Sequence, residues 1–182
     1  DHPDLRGRVA ITRNFAKSPA ASEAHGTAVA GIIAARADDG IGIVGIAPEA
    51  ELHALRACEE APNHEEARCT TFALAKALQF ALEHDVQVIN LSLGGPHDRL
   101  LERLLDVVVS RGIIVVSAID ARAVDGGFPA GHAGVLPVAS ADTLSALDTA
   151  LRAPGRDVPT TTVGRSWGFV SGASYAAASV SG

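Results

Sequence analysis

Apolar and polar positions along this chain follow two periods, one of two residues and one of three to four, which predict strands and helices respectively. Short apolar or alternating runs predict strands at 9–12, 51–57, 86–93, 113–116 and 135–139. Helical spacing predicts helices at 26–36, 70–84, 98–111 and 174–182. A polar loop is predicted over 140–171. Strands that alternate with helices favour an α/β domain with a mostly parallel central sheet.

Two of the predicted helices begin at a residue that can cap them. Thr70 or Thr71 can cap the helix that follows, whose leucines recur at helical spacing. Asp98 is predicted to cap the next helix, which Gly112 ends. Gly112 thus separates the second of these helices from the apolar strand predicted at 113–116.

Composition narrows the class of protein further. At 182 residues, 47% hydrophobic and a mean hydropathy of +0.21, the chain suits one compact domain and not a disordered one. The net charge of −6 is spread along the chain and predicts neither a nucleic acid nor an anionic membrane as partner. The chain contains no run of 18 apolar residues, so the sequence predicts no membrane span. A chain that begins Asp-His-Pro-Asp and contains no Met is interpreted as a piece cut from a longer protein.

The chain has two cysteines, Cys58 and Cys69, on either side of a polar, acidic stretch. An even pair that closes a short loop predicts a disulfide, and hence an oxidising compartment; two unpaired thiols are the alternative. His64 lies between them, but three ligands in one loop fall short of the tetrahedral set that zinc requires. No metal site is therefore predicted here.

Two segments place chemically active residues among small, helix-forming neighbours. His25 is followed by Gly-Thr-Ala-Val-Ala-Gly, and Ser174 is preceded by Gly-Ala and followed by Tyr-Ala-Ala. A serine nucleophile and its histidine base must meet although they lie far apart in sequence. Small neighbours allow two helices to approach and to present both groups at one cleft. Each residue alone also fits an ordinary cap or surface position.

These segments resemble the histidine and serine signatures of the subtilisin-like serine proteases (subtilases). His2-Pro3-Asp4-Leu5, the run from Gly42 to Pro48 and the run from Asn90 to Gly95 resemble further family landmarks, in the family's order. The resemblance covers residues 1–182, a single partial catalytic domain with a three-layer subtilisin-like fold, and implies that the family's fold continues beyond both ends.

The resemblance also implies a mechanism and a substrate site. Ser174 is expected to attack a peptide carbonyl while His25 takes and returns the proton. Segments on either side of the specificity pocket are expected to hold the substrate: Ser92, Leu93 and Gly94 on one side, and Ser117, Ala118 and Ile119 on the other. Ile119 is larger than the residue usual in the family and is expected to narrow the pocket.

The third triad member is not found at its family position. In subtilases the aspartate lies in an Asp-Ser/Thr-Gly turn a few residues before the His-Pro-Asp-Leu segment. Asp1 directly precedes that segment and Asp4 belongs to it, so neither fits, and the aspartate is expected upstream of Asp1. Loss of a triad member costs several orders of magnitude in rate. The 182 residues alone are therefore predicted to be inactive or nearly so.

The oxyanion site departs from the family as well. Asp120 or Ala121 takes the place of the usual asparagine, depending on a one-residue gap, and leaves the Ser174 backbone N–H as the other donor. Alanine has no side-chain donor, and aspartate can donate only if its pKa is strongly raised. Tyr175 where Met is usual and Ser179 where His is common are minor departures.

Two functions remain open at this point. The first is a secreted or periplasmic bacterial-type serine endopeptidase acting on proteins or peptides. The second is a catalytically impaired pseudoprotease that serves as a binding or assembly module. An unrelated α/β hydrolase is disfavoured because the Ser174 segment lacks the second glycine of Gly-x-Ser-x-Gly. The mechanism requires no cofactor. Structural calcium stays undecided, with Asp38-Asp39 as the nearest acidic pair.

Overall fold

A computed structural model describes residues 2–37, 40–60, 67–143 and 147–182. The helices in these residues are a short 3₁₀ turn at Pro3–Leu5 and four α-helices: α1 (Ala24–Ala34), α2 (Thr71–Leu82), α3 (Arg99–Ser110) and α4 (Ala173–Ser181). The strands are β1 (Val9–Asn14), β2 (Leu52–Arg56), β3 (Cys58–Glu60), β4 (Ala67–Cys69), β5 (Val88–Leu91), β6 (Ile114–Ala118), β7 (Val135–Ser140), β8 (Leu151–Ala153), β9 (Val158–Thr162) and β10 (Ser166–Val170).

Parallel strands form the centre of the fold. Strands β5, β6, β7 and β8 lie side by side in that order, and each pair is parallel. Strands β1 and β2 form a second parallel pair. Helix α1 joins β1 to β2 and helix α3 joins β5 to β6, as parallel neighbours require a crossover connection, whereas no helix is described between β6 and β7 or between β7 and β8. The predicted α/β class with a mostly parallel sheet is confirmed.

The two parallel groups face each other across a cavity. Among the described residues, β2 pairs only with β1 and β5 pairs only with β6, so each has an open edge. Residues of both strands, including Ala54, Leu55, Ile89 and Asn90, line one cavity of about 1910 Å³. The unpaired backbone N–H and C=O groups of both strands therefore face this cavity.

Helices cover both faces of the four-stranded sheet. Val115 and Val116 are consecutive on β6 and, as in any strand, point to opposite faces. Val115 packs with Leu105 and Val108 of α3 and with α2, whereas Val116 packs with Ala176 and its neighbours in α4. Helix, sheet and helix therefore form three layers, as predicted.

Most of the predicted elements are present. The Thr70 hydroxyl accepts from the Ala73 N–H at 3.2 Å and caps α2. The Asp98 carboxylate accepts from the N–H groups of Leu100 and Leu101 at 2.9 and 3.1 Å and caps α3. Both predicted starts are confirmed.

Two parts of the prediction were wrong. The expected polar loop over 140–171 contains β8, β9 and β10. The flanks of the acidic stretch between the cysteines pair as the antiparallel hairpin β3–β4. The β3–β4 strands are only three residues each, and in β9 the two buried residues are the consecutive polar Thr160 and Thr161, so neither hairpin shows the alternation that predicts strands.

The β9–β10 hairpin packs against α1. The hydroxyls of Thr160 and Thr161 are fully buried and donate to the carbonyls of Ala28 and Thr27 at 2.6 and 2.8 Å. Gly31 lies against these threonines, and a Cβ atom at this position would come within 2.3 Å of the Thr161 Oγ1. The small residue permits the close approach that fixes the axis of α1.

Candidate functional site

His25 occupies the second position of α1 and is half-buried. Burial lowers the pKa of its imidazole, and the nearby carboxylates of Glu60 and Glu23 partly oppose this by raising it. The ring is therefore neutral at neutral pH, the state that a general base requires. Helix α1 itself begins where Glu23 adopts extended backbone angles, and the Glu23 side chain caps no N–H of the helix.

Ser174 lies in the first turn of α4, two residues after Gly172, which precedes the helix. Gly172 has a φ of 148°, which a side chain would disfavour, so glycine permits the sharp entry into the helix. The N–H groups in the first turn of a helix have no acceptor within the helix. The Ser174 N–H is such a group, and it can donate to an oxyanion beside its own hydroxyl.

The two helices bring His25 to the start of α4. Helices α1 and α4 pack against each other. The His25 ring lies 5.6 Å, centroid to centroid, from the ring of Tyr175, the residue after Ser174. Within the described ranges no hydrogen bond joins His25 to the Ser174 hydroxyl, which instead donates a long bond of 3.4 Å to the Ser92 carbonyl. Catalytic hydrogen bonds are often loose without substrate, so this arrangement is compatible with a serine–histidine pair.

A chain of polar contacts connects Ser174 to β5. The Ser92 hydroxyl donates to the Ser174 carbonyl at 2.8 Å and accepts from the Asn90 amide at 2.9 Å. The Asn90 oxygen accepts from the Ser181 hydroxyl at 3.0 Å. Ser92 thus fixes the first turn of α4 against the end of β5. Sequence reasoning named Ser92 only as a substrate contact and did not find this second contact.

Some of the residues expected to hold substrate line the cavity, whereas others are buried in the core. Ser92, Leu93 and Gly94 line the large cavity with His25. Ser117 and Ala118 are buried in β6, where the Ser117 hydroxyl donates to the Leu91 carbonyl at 3.1 Å. Ile119 is 8% exposed and packs in a core cluster with Ala130 and Ala139. Little of the Ile119 side chain is left to narrow a pocket, and its effect on specificity stays a prediction.

The region expected to supply the second oxyanion donor holds a surface ion pair. The Asp120 carboxylate accepts from the Arg122 guanidinium at 3.1 Å and from the Arg122 backbone N–H at 3.0 Å. These contacts hold the pKa of Asp120 below its usual value. The lowered pKa favours the carboxylate, which has no proton to donate, and the assignment of Asp120 or Ala121 to the oxyanion site stays a prediction. Ala121 is exposed and has no side-chain donor.

Sequence reasoning missed the carboxylates beside His25. The Glu60 carboxylate accepts from the N–H groups of Ala24 and His25, at 3.0 and 2.7 Å. The Glu23 carboxylate pairs with the Arg56 guanidinium at 2.6 Å. Both glutamates were visible in the sequence, but nothing local indicates that the hairpin folds back over the start of α1.

Cys58 and Cys69 are bonded to each other and face one another across β3–β4, as predicted. His64 and the Asp38-Asp39 pair lie outside the described residues. Within the residues that the structure describes, no group of three His, Cys, Asp or Glu side chains is arranged to hold a metal ion. The helices of the described ranges include none long and apolar enough to cross a membrane.

Comparison with known proteins identifies the family. The model of the Subtilase family (Peptidase_S8) matches residues 1–182, so the chain belongs to the subtilase family. The whole chain is 32% identical to the thermophilic serine proteinase of Bacillus sp. (strain AK1) and covers 47% of it. It is also 32% identical to the major intracellular serine protease of Bacillus subtilis (strain 168), covering 62%. Subtilisin E of the same strain is 30% identical, with 50% covered.

Solved structures agree with this assignment. The protease domain of PatA, solved as a mutant, superimposes with a TM-score of 0.81 at 25% identity over 99% of this chain and 71% of that one. The prenylagaramide maturation protease PagA gives the same TM-score and identity over 100% of this chain and 68% of that one. The chain spans roughly half to three fifths of the curated relatives compared above, which are bacterial serine proteases.

Proposed function

We propose that this chain is the larger part of the catalytic domain of a serine endopeptidase that hydrolyses peptide bonds. Ser174 is the nucleophile and His25 the general base and acid. The observation that carries the proposal is the packing of α1 against α4, which puts the His25 ring beside the first turn that bears Ser174. Membership of the subtilase family supports the same reaction class.

His25 is suited to its proposed role by its surroundings. Burial keeps the imidazole neutral at neutral pH, so it can take the Ser174 proton as the hydroxyl attacks the carbonyl. The carboxylates of Glu60 and Glu23 then stabilise the imidazolium that forms. The imidazolium returns the proton to the leaving amine, and water releases the acyl group by the reverse path.

The proposed oxyanion site has one clear donor. The Ser174 backbone N–H lies at the positive end of α4, where negative charge is favoured. Neither Ala121 nor the ionised Asp120 supplies the side-chain donor expected in the family. Removal of such a donor costs about 10²–10³ in turnover. We expect a slow enzyme for this reason.

We place the aspartate of the triad on a strand between β2 and β5, in sequence before Asp1. The open edges of these strands face one cavity, and both strands are parallel to their other neighbours. A parallel strand inserted there would complete one continuous sheet. The carboxyl end of the inserted strand would lie beside the carboxyl end of β5, which Ser92 follows. An aspartate at that end would face His25.

The remaining features of the proposal concern location and cofactors. The Cys58–Cys69 disulfide supports a secreted or periplasmic location, since such bonds persist in oxidising compartments. Two relatives are named intracellular serine proteases, so membership of the family alone does not decide this. The substrate is a protein or peptide, and the hydrolysis proceeds without a cofactor.

Hydrolysis of dye-labelled casein by the full-length protein tests the proposal. We expect slow hydrolysis that Ser174→Ala and His25→Ala each abolish. Ser179→Ala is the matched control, because Ser179 is in the same helix and its hydroxyl donates to the Tyr175 carbonyl of that helix. Hydrolysis that survives Ser174→Ala would contradict the assigned nucleophile.

A pseudoprotease is the second candidate, and one observation favours it. Asp120 is bound to Arg122 and Ala121 carries no donor, so the oxyanion site lacks half of its expected donors. A folded full-length protein that neither hydrolyses casein nor reacts with a serine-directed reagent would support this alternative over the protease.

A further inference from the structure

The hairpin β3–β4 supplies the cap that helix α1 lacks. The residue before α1 is Glu23, whose side chain makes no cap hydrogen bond, because it pairs with Arg56. In its place the two oxygens of Glu60 accept from the first two N–H groups of the helix, those of Ala24 and His25. A carboxylate at this end also interacts favourably with the helix dipole. A distant strand, not the preceding turn, therefore holds the start of α1.

We propose that Glu60 is a positioning residue for His25, acting through the backbone of the catalytic residue and through its charge. The inference rests on the proposed function of His25. Glu60 accepts from the His25 N–H at 2.7 Å, so the carboxylate fixes the backbone from which the imidazole projects. The Cys58–Cys69 disulfide anchors the strand that carries Glu60, two residues from it.

Among the residues that the structure describes, three titratable groups face the imidazole. Glu60 of β3, Glu23 before α1 and Tyr175 of α4 face His25, and Arg56 of β2 pairs with Glu23. The sequence of β9, which also packs on α1, contains no charged residue. Of the two carboxylates, Glu60 raises the His25 pKa more than Glu23 does, and Glu23 is paired with Arg56.

Glu60→Gln tests both parts of the proposal in the full-length protein. The amide keeps one acceptor but loses the second acceptor and the charge. We expect kcat to fall about three- to tenfold with KM unchanged, since small misplacements of a catalytic group cost up to about 10²-fold. Loss of the anion lowers the His25 pKa, so the acid limb of kcat/KM moves to lower pH. A purely structural role would not move that limb.

Glu59→Gln is the matched control. It neutralises the neighbouring carboxylate on the same strand, which accepts from the Ser18 N–H at 2.7 Å and not from α1. We expect wild-type kcat and an unmoved acid limb. An acid limb of Glu60→Gln that coincides with that of Glu59→Gln would overturn the proposal, whatever the loss of rate.

Two further measurements keep the test decisive. Glu60→Asp keeps the charge on a side chain too short to reach both N–H groups; we expect lower kcat with the acid limb near its wild-type position, and unchanged kcat overturns the positioning role. If the protein proves inactive, the proposed function fails separately, and an NMR titration of the His25 ring in Ser174→Ala still tests Glu60. A His25 pKa that Glu60→Gln does not lower overturns the proposal there too.

Discussion

The contact between α1 and β9 predicts that replacing glycine by alanine has opposite effects on stability at two positions of α1. Gly31 and Gly26 both lie in α1. A Cβ on Gly31 would come within 2.3 Å of the Thr161 Oγ1 and 2.8 Å of the Thr160 Oγ1, whereas a Cβ on Gly26 would meet nothing within 4 Å. Alanine is the better helix former at both positions, by about 1 kcal/mol. Only the surroundings of the two positions differ.

The magnitude follows from these contacts. Overpacking costs about 1–3 kcal/mol. Displacing a buried hydroxyl from its carbonyl acceptor adds about 1–3 kcal/mol. After the gain in helix propensity, Gly31→Ala should lower the free energy of unfolding by about 3 kcal/mol, or Tm by about 6–12 °C for a domain of this size. Gly26→Ala should leave stability unchanged or raise it by up to about 1 kcal/mol.

Thermal unfolding of the full-length protein, followed by circular dichroism, measures both variants. The Thr160 and Thr161 contacts predict a Tm for Gly31→Ala below that of the wild type and a Tm for Gly26→Ala at or above it. If Gly31→Ala unfolds at or above the wild-type temperature, the close packing of β9 on α1 is refuted. The placement of His25 by that helix would then be contradicted as well.

Three further predictions concern the site. Ser92→Ala removes the hydroxyl that links Asn90 to α4 and should destabilise the protein by about 1 kcal/mol, measured by urea unfolding; unchanged stability would contradict the link. Arg122→Ala should raise the Asp120 pKa towards its ordinary value, measured by NMR titration of the carboxyl, and an unmoved pKa would show that Arg122 does not cause the shift. Ala121→Asn should increase kcat for peptide hydrolysis by restoring a side-chain donor, about 10-fold or more if the amide reaches the oxyanion; no increase would place the missing donor elsewhere.

Sequence reasoning predicted what local pattern and chemistry encode. The caps Thr70 and Asp98 were predictable because each acts on the turn that follows it. The buried strand β6 was predictable because a short continuous apolar run is typical of a strand that is covered on both faces. Each of these features depends on residues within a few positions of one another.

The rest depends on contacts between distant segments. Glu60 caps α1 from 35 residues away, and no periodicity connects the two. The ion pair of Asp120 with Arg122 joins near neighbours, yet the sequence did not reveal it, because i,i+2 side chains meet only in particular turns. The open edges of β2 and β5 became visible only once the pairing of every described strand was known.

The central claim is that Ser174 is an activated nucleophile. Covalent labelling of the full-length protein with a fluorophosphonate, read by intact mass, tests it most directly because it requires no knowledge of the substrate. We predict one adduct in the wild type and in Ser179→Ala, and none in Ser174→Ala. A folded protein that forms no adduct, or an adduct that persists in Ser174→Ala, would contradict the account.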